Sequence, residues 1–193
     1  MTTESNLFGL ILIGGQSIRM GKDKAILDYH GKPQAQYLFE LLQEFVPNTF
    51  ISVKEGQDCD FTDQVIYDSF DSKGPINGIL SAMKACPDKA FLVLACDLPM
   101  VSGHSIEFLI ANRDASKIAT AYVGHQELPE PLMAIWEPGA LDALIQHHVQ
   151  EGKNCPRKFL INSDIKLIQP IDERITFNAN SPEEYQQAKE WIS

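Results

Sequence analysis

Residues 10–25 read LILIGGQSIRMGKDKA, and the fold turns on how this stretch is understood. An apolar run stops at the adjacent Gly14 and Gly15. A third glycine, Gly21, follows six residues later, with Arg19, Lys22 and Lys24 within and beside the interval. Extended towards the amino terminus, residues 7–13 (LFGLILI) form a short continuous apolar segment bounded by glycine. Such a run suits a strand buried on both faces, as in a parallel sheet. A glycine turn at its end lets backbone N–H groups approach an anion with no side chain in the way, and added cations suit a phosphate chain. An ordinary tight turn needs only one glycine, so three glycines among clustered cations favour the phosphate reading. Two familiar phosphate loops do not fit. Gly15 and Gly21 are one residue too far apart for GxxxxGK[ST], and Lys22 is followed by Asp23; adjacent Gly14 and Gly15 break GxGxxG.

The rest of the chain repeats the strand-then-helix theme. Residues 33–46 open with Pro33, placed in a helix's first turn, and Tyr37, Leu38, Leu41, Leu42 and Phe45 recur at helical spacing. TFISV at 49–53 and QVIYD at 64–68 read as strands, and Pro75 starts a helix whose apolar face carries Ile76, Ile79, Leu80 and Met83. AFLVLA at 90–95 is the clearest strand. A helix at 104–112, strands at 118–123 and 132–136, and a helix over 139–149 follow. Near the end, Ser181, Pro182 and Glu184 stand as N-cap, first helical residue and capping-box partner. Alternation of this kind predicts an α/β fold, three-layer α/β/α with a mostly parallel central sheet, Rossmann-like, with ligands held beyond the carboxyl ends of the strands. With 193 residues and no repeat or long linker, the expectation is a single domain over 1–193.

Composition limits the partners. A formal net charge of −10 argues against a general nucleic-acid binder or an anionic-membrane binder, since both surfaces repel an acidic body. It permits a small anion in a local basic pocket. The apolar segment 7–13 is too short to span a membrane and no cleavage site follows it, so the expectation is a soluble cytoplasmic protein. The four cysteines lack zinc or CxxC spacing, and Cys86 and Cys96, in apolar surroundings, read as core. The five histidines show no ligand spacing, and the adjacent His147 and His148 read as surface residues.

Two carboxylates stand just past predicted strands. Asp97 follows 90–95 and precedes Pro99; it suits a Mg²⁺ ligand, because Mg²⁺ takes one or two carboxylates and lets phosphate oxygens complete its shell, or else a cap for the next helix. Asp68 follows QVIY and leads through residues 68–75 to a helix N-terminus; alone, it also reads as a turn residue.

Taken together these pieces resemble the molybdenum cofactor guanylyltransferases, within the glycosyltransferase-A-like nucleotidyltransferases. That family's loop, LxGGxSxRMGxDK, is matched by Leu12, Gly14, Gly15, Ser17, Arg19, Met20, Gly21, Asp23 and Lys24. The match continues through Gly31-Lys32-Pro33, Asp68, Gly74-Pro75, Gly78, Cys96-Asp97, Pro99 and the NANSPEE of residues 178–184. It departs at Ile13, where the family usually has alanine. LPEPLMAIW, at 128–136, matches a pattern shared by relatives of several substrate classes.

The resemblance implies transfer of GMP from GTP to the phosphate of molybdopterin, with Mg²⁺ as cofactor and pyrophosphate released. It implies that the backbone around Leu12, Ile13, Gly14 and Gly15 meets the base and phosphates, and that Arg19 and Lys24 neutralise the triphosphate. By the same resemblance Asp97 would hold the metal, Asp68 would help fix the nucleoside, and Asn178 and Asn180 would face the pterin. Proteins that deliver and receive the cofactor are expected partners. Open alternatives are a cytidylyltransferase for molybdopterin, a nucleotidyltransferase for a sugar or polyol phosphate, and a non-catalytic nucleotide sensor or partner-binding protein.

Overall fold

The computed structural model of the chain describes residues 6–13, 24–54, 56, 64–70 and 74–192. The continuous apolar run forms β1 (Leu7–Leu12), the strand at the heart of a seven-stranded sheet. Its neighbours are β2 (Thr49–Val53) and β4 (Ala90–Ala95), both parallel to it, with β3 (Val65–Tyr67) parallel to β2 at one edge. On the other side lie β6 (Pro129–Trp136), β5 (Ala119–Val123) and β7 (Lys166–Ile168), giving the order β3-β2-β1-β4-β6-β5-β7. β6 runs antiparallel to both β4 and β5, while β7 is parallel to β5. The sheet is therefore mostly parallel, with one reversed strand.

Successive side chains of the central strands enter opposite layers, as a period of two requires. Ile11, Leu92 and Leu94 pack with Leu38 and Leu42 of α1 (Gln34–Gln43) and Ile106 and Leu109 of α3 (Gly103–Ala111). Leu10, Phe91 and Val93 pack in the other layer with Ile76, Ile79 and Met83 of α2 (Pro75–Ala85), Leu144 of α4 (Leu141–Ile145) and Phe159 of α5 (Pro156–Ile161). This is the expected α/β/α arrangement. α6 (Pro182–Ile192) lies apart from both layers, packing Ala188 and Tyr185 with Leu27 and Tyr29. Its capping box is formed: Glu184 N donates to Ser181 Oγ at 3.2 Å and Ser181 N donates to Glu184 Oε2 at 2.9 Å. No helix among the described residues is long and apolar enough to cross a membrane.

Several local expectations are corrected. Pro33 stands just before α1 rather than in its first turn, with an extended ψ of 137°. β6 begins at Pro129, not 132; an irregular register opposite Ala121 to Val123 accommodates prolines that would interrupt a regular ladder. The helix over 139–149 is a single α-helical turn and a half, α4, preceded by a 3₁₀ turn at Pro138–Ala140 and widening into a π-helical turn at Gln146–Gln150. That widening turns both histidines inward. His148 is buried with Nδ1 3.3 Å from Lys153 O, and the ring of His147 packs edge-on against Phe159 at 5.3 Å. His148 is therefore not a surface residue, while His147 is half-buried. Cys96 is buried and Cys86 half-buried.

Candidate active site

Strand order reverses between β1 and β4: the chain leaves β1 for β2 on one side, and leaves β4 for the strands on the other. A crevice opens at the carboxyl ends of strands where order reverses in this way. Gly14, Gly15, Arg19 and Lys22 lie outside the described residues. Leu12 ends β1, and its carbonyl accepts from Cys96 N at 3.4 Å, tying the two strand ends together. Ile13 is buried among the side chains of the α1 and α3 layer, so its bulk goes into the core.

Asp97 stands two residues past the end of β4, after Cys96. It does not cap the next helix: Ser102 does, with its Oγ accepting from Ser105 N at 3.3 Å. The Asp97 side chain is 19% exposed and faces Lys24, whose Nζ lies 3.6 Å from Oδ2. Its other oxygen, Oδ1, is buried with no hydrogen-bond partner among the described residues. Burial pushes the Asp97 carboxyl above the ordinary carboxylate range, and the Lys24 ammonium pulls it part of the way back. A strand-end carboxylate with one oxygen uncommitted is chemically suited to a hard cation, and Mg²⁺ accepts a site with one protein carboxylate when phosphates supply further oxygens. No group of three or more His, Cys, Asp or Glu positioned for a metal occurs among the described residues.

Lys24 opens a short 3₁₀ turn (Lys24–Ile26) and donates to Asn180 Oδ1 at 2.5 Å. Asn180 Nδ2 reaches Asn178 O at 3.4 Å, and between them Ala179 N donates to Asp97 O at 2.8 Å. The NAN segment is thus stitched onto the loop after β4, joining Lys24, Asp97, Asn178 and Asn180 in one cluster. Asp68 stands at the end of β3, on the far side of β1. It is half-buried, accepts from Ser52 Oγ at 2.8 Å, and is raised by burial against the lowering effect of that bond. α2 begins beside it from Gly74, whose φ of +98° is one that glycine adopts without strain and other residues do not. No described contact links Asp68 to the Lys24–Asp97 cluster.

Two residues here escaped the sequence reading. Glu130, at the start of β6, is 1% exposed at its side chain and accepts from Arg157 Nη2 at 2.7 Å, Leu132 N at 3.1 Å and Asn178 Nδ2 at 3.4 Å. A lone carboxylate inside an apolar strand pattern was the available signal. Arg157 had none. Arg157, with Glu130 held behind it, lines a cleft of about 760 Å³, within the range of small-molecule sites, whose walls set Arg157 and Arg174 among the carboxylates Glu127, Glu173 and Glu184 and carry Phe177, Asn178, Asn180 and Trp191. Phe177 and Trp191 meet edge to face at 4.9 Å, and Arg174 lies 6.0 Å over the Trp191 ring. The opposite rim includes Gln126 and Glu127 at φ of 58° and 57°, a strained pair of left-handed residues.

The strand-end site thus brings together a cation, a carboxylate and an adjoining cleft. Residues 9–167 match the model of the MobA-like NTP transferase domain. The chain belongs to the MobA-like NTP transferase family. It is 36% identical over 190 residues to a molybdenum cofactor biosynthesis bifunctional protein of Synechocystis sp., covering 96% of this chain but 54% of that protein. The chain thus spans about half the length of that relative. It is 31% identical over 179 residues to a molybdenum cofactor guanylyltransferase of Pseudomonas fluorescens, covering 90% of this chain and 89% of that one. In fold it is similar to molybdopterin-guanine dinucleotide biosynthesis protein A from Archaeoglobus fulgidus, with a TM-score of 0.78 at 22% identity over 95% of this chain and 97% of the other.

Proposed function

We propose that the protein is a molybdenum cofactor guanylyltransferase, with GTP as donor and molybdopterin as acceptor. The observation that carries this reading is the joining of Lys24, Asp97 and Asn180 at the strand-order reversal, with Asn180 also lining the neighbouring cleft. GTP belongs on the glycine-loop side, with the backbone of residues 12–15 along the base and phosphates and Asp68 at the nucleoside. The acceptor belongs in the 760 Å³ cleft. Single-domain organisation and the handing-over of cofactor by partner proteins belong to the same proposal.

An oxygen of the acceptor phosphate attacks the α-phosphorus of GTP. A new P–O bond forms, the bond from the α-phosphorus to the bridging oxygen breaks, and pyrophosphate leaves with the electron pair. The nucleophile is already anionic, so no general base is required; the protein's task is alignment and charge neutralisation. Lys24 supplies positive charge beside the triphosphate, joined by Arg19. Asn180 holds the Lys24 ammonium at the boundary between the donor and acceptor sides. Asp97 would hold Mg²⁺ through Oδ1, and the metal, when bound, screens the repulsion between attacking and leaving anions.

The test is binding of GTP, CTP, ATP and UTP in Mg²⁺, followed by pyrophosphate release with molybdopterin. GTP should bind best and Mg²⁺ should strengthen it. Equal or better binding of CTP refutes the guanylyl assignment, and nucleotide binding without turnover refutes the enzyme.

A further inference from the structure

β6 carries an arginine–glutamate pair at each end, and the two differ. Glu137, just past the carboxyl end of β6, is held by Arg113 through Nε at 2.6 Å and Nη2 at 2.7 Å, and the two side chains are 3% and 10% exposed. That pair is sealed. At the other end, Glu130 is 1% exposed while its partner Arg157 is 37% exposed and lines the cleft. Arg157 Nε donates to Pro129 O at 3.1 Å and Nη2 donates to Glu130 Oε2 at 2.7 Å, so one edge of the planar guanidinium is clamped. A buried ion pair is a poor stabilising device, because desolvation offsets its attraction and an apolar pair of similar volume serves as well. A hidden carboxylate clamping a presented arginine makes sense when the arginine's direction matters. Glu130 also accepts from Asn178 Nδ2, and Asn178 leads through Asn180 to Lys24.

We propose that Glu130 is a positioning residue for the acceptor. It holds the Arg157 guanidinium, and with it Asn178, in the orientation that meets an anionic group of the substrate in the cleft. This rests on the cleft being the acceptor side, as read above. Glu130 itself touches neither substrate. It acts because a rigid fork presents its remaining N–H donors with less ordering left to be done on binding.

Glu130→Gln keeps the shape and an acceptor for Leu132 N but removes the charge that clamps Arg157. The KM for molybdopterin should rise about tenfold, the size expected for one lost charge-assisted contact, while the KM for GTP stays within about twofold. Arg157→Lys, which keeps the charge and loses the fork, should raise the acceptor KM in the same way, and it stands in if the buried substitution fails to fold. Glu130→Gln combined with Arg157→Gln should be no worse than Arg157→Gln alone, since one residue works through the other. An unchanged acceptor KM, an additive double variant, or equal rises in both KM values overturns the inference and leaves the guanylyltransferase reading intact. Wild-type protein that releases no pyrophosphate from GTP with molybdopterin overturns both.

Discussion

Replacing Asp97 by asparagine should make the protein more stable and inactive at once. Asp97 Oδ1 is buried and without a hydrogen-bond partner among the described residues; an amide leaves that position equally unpaired but carries no charge, and burying the anion rather than a neutral group costs on the order of 1–3 kcal/mol. The Lys24 ammonium, 3.6 Å from Oδ2, is too far for a strong hydrogen bond and offsets up to about 1 kcal/mol of that. Removing the charge should therefore stabilise the fold by about 1–2 kcal/mol. In a chain of this size each kcal/mol moves Tm by about 2–4 °C, so the variant should melt about 2–8 °C higher near neutral pH. The pH dependence follows from the raised carboxyl. The folded state holds this proton more tightly than the unfolded chain. Wild type therefore loses stability as pH rises from the unfolded carboxylate value of about 3.9 through the raised folded value, and the loss is complete above it. The advantage of the Asp97→Asn variant should be absent in acid and reach its plateau above that window. Transfer should fall by at least about 10²-fold, as when one essential electrostatic group is lost from such a site. Thermal unfolding across pH and pyrophosphate release with GTP, Mg²⁺ and molybdopterin measure both halves. Full activity would show that Asp97 is no metal ligand, and a lower Tm at neutral pH would refute the argument from burial.

Lys24→Ala should reduce turnover by about 10²-fold through lost charge at the triphosphate, whereas Lys22→Ala should cost far less; equal losses in steady-state kinetics would mean the lysines act only as a diffuse field. Gly78→Ala places a methyl group hard against Ser52 Oγ and 2.7 Å from Leu12 Cδ2. Because Ser52 donates to Asp68, GTP affinity measured by calorimetry should drop; unaltered affinity would separate Asp68 from nucleotide binding. Arg113→Ala leaves Glu137 buried and unpaired, which should cost about 3–5 kcal/mol in denaturant unfolding with kcat unchanged, since the pair stands at the opposite end of β6 from the cleft. A loss below about 1 kcal/mol would show that Glu137 finds water or another donor.

What the sequence determined by itself was whatever short-range patterning encodes. β1 and β4 are continuous apolar runs, so they could only be central strands. α2 and α6 carry a proline at the first turn and an apolar face, and the Ser181–Glu184 box closes within four residues. Asp97 was conspicuous because it stands just past such a strand. The short edge strand β7 and the six-residue α5 were missed, since three and six residues are too few to establish a period and their pairing partners are remote. His148 became buried through a local widening of the helix that no spacing announces.

The site itself was decided in three dimensions. Lys24 and Asn180 are 156 residues apart and meet only because the NAN segment docks on the loop after β4. Glu130 lies at the amino end of its strand, where a parallel sheet would have carried it away from the chemistry. Because β6 alone runs in reverse between β4 and β5, that amino end arrives beside their carboxyl ends, and a residue that reads as an interruption of an apolar strand becomes the clamp of the cleft. Strand direction is set by which neighbours a strand pairs with, a long-range choice that the periodicity of the strand's own residues does not contain.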